Sequence, residues 1–313
     1  MATYKEIHGV KVQYRESDAT AIEGDVWYNA STGLLKMYSS VGAWATGTVI
    51  NTGRAGAVGQ GITTAALFEG GGPADTESWD GSSWTEVADL NTARSENTGA
   101  GTQTAALFFG GKPSPAYTEI WNGASWTEVA DLTTGRYVQA GFGTTTAAMC
   151  VAGEVSDAVS AVSETWNGAS WTEGADLNTA RVGPTGFGTT AAAICGSGGE
   201  PAYNANVESW DGSSWTEVGN QNTGRKDSQQ GGFGLQTAGM VYGGNQPAPV
   251  GALVEEWNGS GWTEVANLSA VVRIMGGAGT TNASALSIGG APGTKAEVEV
   301  WTSAAAVQTV AFD

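Results

Sequence analysis

The chain is poor in the residues on which most catalysis depends. It has a single histidine, His8, so a Ser-His-Asp or Cys-His centre in the body of the chain has no base. No Cys/His spacing or Asp-rich loop suggests a metal site. Basic residues are also scarce: 13 Lys and Arg stand against 31 Asp and Glu, a net charge of -18. Such a surface repels phosphate backbones and anionic lipid, so nucleic acid is not an expected partner. No apolar run approaches the ~18 residues of a membrane span. The start, MATYKEIHGVKVQYRESD, lacks a signal peptide's apolar core, so neither membrane insertion nor ordinary secretory export is expected.

What the chain has in abundance is glycine, 48 of 313 residues, and tryptophan, 13 of them, with no long helical pattern. That composition points to a turn-dense, all-β protein. The tryptophans recur in one phrase: ESWDGSSWTEVADLNTAR returns as EIWNGASWTEVADLTTGR, ETWNGASWTEGADLNTAR, ESWDGSSWTEVGNQNTGR and EEWNGSGWTEVANLSAVVR. The leading tryptophans are Trp79, Trp121, Trp166, Trp210, Trp257 and Trp301, 42 to 47 residues apart. This is the period of four-stranded propeller blades.

Each repeat reads as four strands: a small-residue strand such as SENTGAGTQ, an apolar strand ending in glycines (TAALFFGG), a third ending in Trp (YTEIW) and a fourth beginning with Trp (WTEVADL). Asp-Gly or Asn-Gly at 80–81, 122–123, 167–168, 211–212 and 258–259 suits a tight hairpin between the last two. The inner strand is rich in Gly, Ala and Thr, as crowding near a propeller axis requires. The second Trp of each pair is expected to fill the wedge between neighbouring blades. Two columns run through all six repeats: Arg54, Arg94, Arg136, Arg181, Arg225 and Arg273, and Glu77, Glu119, Glu164, Glu208, Glu255 and Glu299. One Arg and one Glu per repeat suggest a structural ion pair rather than an anion-binding ring. Cys150 and Cys195 occupy matching places in neighbouring repeats, too far apart for a disulfide if blades pack about 10 Å from each other, and read as buried free thiols.

Variation is confined to the segment between the glycines and the Glu. Strands in a blade alternate in direction, so these loops share a face with the connections between repeats. One face is then uniform and the other individual, and unequal loops on a rigid scaffold are where recognition is expected. That face collects Lys112, Tyr117, Tyr137, Tyr203, Asn204, Asn206, Lys226, Asp227 and Gln246. Tyrosines among amides suit a glycan or protein surface. Glu154, Asp157 and Glu200 are the acids a glycosidase reading would need, but only their acidity suggests it, and a solvated charged loop is the ordinary explanation.

Arg94, Gly110, Gly111, Trp121, Trp126 and Arg136 make the chain from about residue 54 to 313 resemble the kelch repeat and the related central propeller of galactose oxidase. It departs in having Trp where kelch repeats commonly have Tyr, and in lacking a second Trp in the last repeat. A galactose-oxidase-like copper site needs paired His and Tyr ligands, which one histidine outside the repeats does not supply, and no cofactor is expected. A sialidase would need Arg residues outside the repeat column. The N-terminal EGDVWYNASTGLLKMYSSVGAWATG, together with the WNGxSWTE repeats, is similar to tail-fibre-like virion proteins of marine tailed bacteriophages. That resemblance implies a virion-surface protein assembled in the host cytoplasm, held to other virion proteins by an N-terminal arm and contacting a cell-surface glycan or protein, with a homo-oligomer possible.

The expected organisation is an N-terminal β-hairpin arm over 1–50 and a six-bladed kelch-like β-propeller of four-stranded blades over 51–313. Val26 to Asn29 and Leu34 to Tyr38 form the hairpin. Ring closure has two solutions: Val307 to Phe312 supplies the last outer strand, or Trp44 to Ile50 does. A non-enzymatic protein is expected, acting in attachment or as a purely structural decoration.

Overall fold

A computed structural model describes residues 13–18, 25–113, 116–199, 202–228, 231–246 and 251–309. No helix occurs among them, and the chain divides into a unit of Trp44–Trp301 and a smaller one of Met1–Ala43 with Thr302–Asp313.

The larger unit repeats one four-stranded antiparallel sheet. The first comprises Ala57–Ile62, Ala65–Gly70, Thr76–Trp79 and Trp84–Glu86 in sequential order. The second is Thr98–Thr102, Ala105–Phe109, Thr118–Trp121 and Trp126–Glu128. Three more sheets follow, with inner strands Ala140–Thr144, Thr185–Gly188 and Gly232–Leu235. In the sixth, Gly276–Thr281 and Ser284–Ile288 are followed by the start of Val298–Thr309. Its fourth place is taken from the other end of the chain: Gly47 N donates to Val298 O at 2.7 Å, Ile50 N donates to Ala296 O at 3.0 Å, and the Trp44 ring lies 5.5 Å from that of Trp301. Of the two closures open to the sequence, the segment from Trp44 to Ile50 fills the position, so the larger unit begins at Trp44 and not at residue 51.

The inner strands contact one another in cyclic order. Ala57–Ile62 lies beside Thr98–Thr102, and the series runs on through the third, fourth and fifth sheets to Gly276–Thr281, which is again beside Ala57–Ile62. Glycine permits this crowding: a Cβ on Gly59 would stand 2.8 Å from the backbone nitrogen of Gly277. The arrangement is propeller-like.

The two tryptophans of a repeat do different work. The first donates within its own sheet, as Trp79 Nε1 does to Thr63 O at 2.8 Å and Trp121 Nε1 to Gln103 O at 3.0 Å. The second crosses to the preceding sheet: Trp126 Nε1 reaches Thr76 Oγ1, and Trp171 Nε1 reaches Thr118 Oγ1, both at 3.1 Å. Trp126 joins Val58 and Leu67 of the first sheet to Ala106 and Phe108 of the second in one apolar cluster. Trp215 makes no such bond: the third sheet has Ser163 in place of the threonine, with its hydroxyl directed to Ala175 O.

The Asx-Gly hairpins form as the sequence requires. Asp80 Oδ1 accepts the amides of Ser82 and Ser83 at 2.8 Å while Gly81 takes φ 93°, and the Ser82 hydroxyl, then these amides, hold the Asp80 carboxyl down at about 2. Cys150 and Cys195 are free and buried, and burial pushes both thiols up to about 12.

In the smaller unit, Val26–Asn29 pairs antiparallel with the start of Leu34–Thr46, in register Val26 to Met37 through Asn29 to Leu34. Gln13–Arg15 adds a parallel strand against Val26–Asn29. Trp27 is its buried centre: its indole donates to Asp18 Oδ1 at 3.0 Å, and the Arg15 guanidinium sits 5.0 Å over its ring.

Candidate functional site

The loops of unequal length and the connections between repeats lie side by side, held by short antiparallel bridges: Ser95 with Lys112, Tyr137 with Glu154, Asn204 with Arg225, Lys226 with Asn245 and Arg273 with Ala291. This is the individual face expected from the alternation of strand direction.

Its inner rim is a chain of backbone hydrogen bonds from repeat to repeat. Gly56, Glu96, Val138, Gly183, Asp227 and Ile274 all have positive φ, from 45° to 71°. Glu96 N donates to Gly56 O, Val138 N to Glu96 O, Gly183 N to Val138 O, Ile274 N to Asp227 O and Gly56 N to Ile274 O, at 2.8 to 3.2 Å. Non-glycine residues in this region carry a steric cost, and these five amide bonds, which link every neighbouring pair of positions except Gly183 and Asp227, act against it. The result sets Glu96 and Asp227 at a fixed place on the rim. Asp227 was among the sequence candidates. Glu96 was missed, and its signal was the position two residues after the Arg, where glycine alternates with other types.

Two pairs of cation and ring stand on this face. Lys112 Nζ is 3.8 Å from the ring centroid of Tyr137 and 3.1 Å from Glu96 Oε2. Lys226 Nζ is 5.7 Å from the ring of Tyr203, whose hydroxyl approaches Asn245 Oδ1 at 3.4 Å. Each pair joins the loop of one repeat to the start of the next, with the roles of Lys and Tyr exchanged. The Tyr137 hydroxyl donates to Asp157, and that bond, followed by one with Glu154, pushes the phenol well above its usual range. Glu154 and Asp157 therefore serve one tyrosine at a loop hairpin, Glu154–Val155 against Ala158–Val159. Glu200 lies outside the described residues.

The remaining candidates divide by what their atoms already do. Tyr117 and Tyr203 are exposed, each at 39 %. Asn204 Oδ1 accepts the amide of Asn206 at 2.7 Å, and Asn206 O accepts from Arg181 Nη1 at 2.8 Å. Gln246 is buried: it donates to Gly243 O at 3.1 Å and accepts from Gly251 N at 3.2 Å, which makes it a brace for its own loop. Tyr137 is buried beneath Lys112 in the same sense. The exposed groups among these candidates are thus the side chains of Tyr117, Tyr203 and Lys112, with Lys226 half-buried beside Tyr203. Rings and ammonium groups of this kind stack on sugars and peptide side chains.

At the strand ends that carry the hairpins, a cavity of about 220 Å³ opens on the axis of the inner strands. Paired glycines such as Gly59 and Gly61 line it, together with Gln60, Phe142, Phe187, Phe233 and Leu235. Its described lining has no carboxylate, imidazole, amine or thiol, so it offers neither an acid–base couple nor a charged nucleophile.

No protein-family model matches the chain, and a search of the curated proteins finds no match.

Proposed function

We propose that the chain is a six-bladed, kelch-like propeller that recognises a glycan or protein on a cell surface through its individual face, without catalysis. The observation that carries this reading is the contrast between faces. The hairpin face repeats Trp-Asx-Gly turns, whereas the other presents Tyr117 and Tyr203 on loops of different length and a Lys–Tyr pair at two junctions with the roles exchanged. Distinct groups on a rigid rim can discriminate among ligands, and identical turns cannot. The cyclic contacts of six inner strands support the blade number. The N-terminal segment's similarity to tail-fibre-like proteins supports a place on a virion surface, with residues 1–50 as the attachment to other virion proteins.

A purely structural role is the second reading, favoured by the inward use of Gln246 and Tyr137. Glycan-array and cell-adsorption measurements on Tyr117→Ala and Tyr203→Ala, and on a chain with Gly72 to Thr76 grafted in place of Val155 to Ser163, separate the two. Binding is expected to fall while the melting temperature of the point variants stays close to wild type, since exposed substitutions cost within about 0.5 kcal/mol. Unchanged binding in a folded graft, with loss instead on altering Asn122-Gly123 and Asn167-Gly168, would place recognition on the opposite face.

A further inference from the structure

Five repeats use their Arg as a buried clamp. In the first repeat, Arg54 Nη2 donates to Glu77 Oε1 at 2.8 Å and to Phe68 O at 3.4 Å, while Nη1 donates to Asp75 O and, at 3.4 Å, to Gly70 O. Asn51 N completes the carboxylate by donating to Glu77 Oε2 at 2.7 Å. Arg94, Arg136, Arg181 and Arg225 repeat the ion pair with Glu119, Glu164, Glu208 and Glu255.

The sixth repeat keeps the cage and loses the occupant. The spacing from second Trp to Arg is ten residues in the earlier repeats and eleven from Trp262 to Arg273. Backbone bonds identify which residue stands in the column. Gly244 N donates to Val272 O at 2.9 Å, as Gly71 N does to Arg94 O at 3.0 Å, and Arg273 pairs with Ala291 as Ser95 pairs with Lys112. Val272 therefore occupies the arginine position and Arg273 lies one residue beyond it, which corrects the expectation of six equivalent arginines. The acceptor set persists: Ser269 N donates to Glu299 Oε2 at 2.9 Å, as Asn51 N does to Glu77, and Gly289 N donates to Glu297 O at 2.9 Å, as Gly70 N does to Asp75 O. Among the described residues no ion pair reaches Glu299.

A cavity of about 100 Å³ lies at this place, lined by Val272, Ser287, Gly289, Glu297 and Glu299. These correspond in order to Arg54, Phe68, Gly70, Asp75 and Glu77, that is, to the arginine of the first repeat and its four acceptors. A single water needs only about 10 to 15 Å³, so a planar group of four heavy atoms fits. The exposed Ser269, Ala270 and Glu297 border it, giving a path from solvent.

We propose that this cavity is a binding site for a guanidinium group supplied from outside the chain. A carboxylate held by a backbone amide, with carbonyls beside it, matches the fork of guanidinium donors, and the chain itself demonstrates the fit five times. The site does not depend on the reading of the individual face. Lys295 also lines the cavity, but its Nζ donates to Val271 O at 2.7 Å, and it is the internal competitor the test must address.

The experiment titrates the whole chain with methylguanidinium, acetyl-arginine amide and acetyl-lysine amide, read by calorimetry and by shifts of the Ser269 amide resonance. Saturable binding of the two guanidinium compounds is expected, at least tenfold tighter than the lysine amide. Weakening of tenfold or more is expected in Glu299→Gln, and loss in Val272→Arg, which supplies the missing group. Two variants keep the test usable if one fails to fold. Binding of methylguanidinium alone would assign a free small cation, and binding of both an arginine borne by a partner. No saturable binding to wild type, equal binding of the lysine amide, or binding unchanged in both variants overturns the proposal. Binding that appears only in Lys295→Met overturns it for the native chain and assigns the cavity to Lys295.

Discussion

Five arginine clamps and the one vacant clamp differ by a single inserted residue, yet the backbone takes the same course at both. Gly244 N finds Val272 O where Gly71 N finds Arg94 O. The clamp therefore does not set the chain path. The path follows from the hairpins, the strand ladders and the packing of large apolar groups between sheets, and the guanidinium is held inside a frame those elements build. Burial lowers the pKa of Arg94, and Glu119 opposes the shift, which is the signature of a charge that the frame forces from water and its partner compensates.

Breaking the comparison produces the largest effects. Arg136→Met leaves the Glu164 carboxylate buried with only Thr133 and Thr134 as donors, and is expected to cost roughly 3 to 5 kcal/mol, against under about 1 kcal/mol for Arg273→Met. Urea unfolding of the two variants checks this, and equal losses would mean that position in the column is irrelevant. Trp126→Ala removes the group that crosses from second sheet to first, and should likewise cost roughly 3 to 5 kcal/mol. If Trp126→Ala unfolds at the wild-type midpoint, packing between the sheets is not what sets the path.

The first repeat sharpens the comparison with an acid of its own. Glu69 stands in a column otherwise filled by Phe109, Val151, Gly196, Tyr242 and Ile288, fully buried, bonded to Gln60 and with Oε2 unpartnered. Burial raises its pKa from 4.5 to about 8, with Gln60 and Arg54 opposing. A folded pKa above the unfolded one gives stability that is complete below the unfolded value and is lost as pH rises toward the folded value. Wild type should therefore weaken between pH 5 and 8 relative to Glu69→Gln, by at most about 4 kcal/mol at about 1.4 kcal/mol per unit. Urea midpoints of the two proteins at pH 5 and pH 8 test this, and parallel profiles would remove Glu69 as the cause.

The repeat, its strands, its turns and the pairing of Arg with Glu were legible because each rests on local spacing: Asx-Gly fixes a hairpin, and a column repeated every 42 to 47 residues fixes a ladder. The hairpin of the smaller unit was legible for the same reason. On the individual face, sequence brought together residues that share a surface, but not which of their atoms remain available. Tyr117 and Gln246 read alike as polar loop residues, and only long-range packing leaves one exposed and buries the other. Glu96 was hidden because its partner Lys112 is sixteen residues away and its place on the rim depends on Gly56 and Val138 of other repeats.

Sequence by itself determined the all-β class, the repeated four-stranded unit, the free thiols and the two-sidedness of turns and loops, since these follow from periods and turn chemistry within a few tens of residues. Tertiary structure decided which end of the chain fills the last sheet, which tryptophan crosses between sheets, where the inserted residue pushed Arg273, and that a carboxylate at Glu299 keeps the cage without its guanidinium. Each of those choices depends on contacts between residues about 20 or more positions apart, where volume and hydrogen-bond geometry must be satisfied jointly and no local pattern records the outcome.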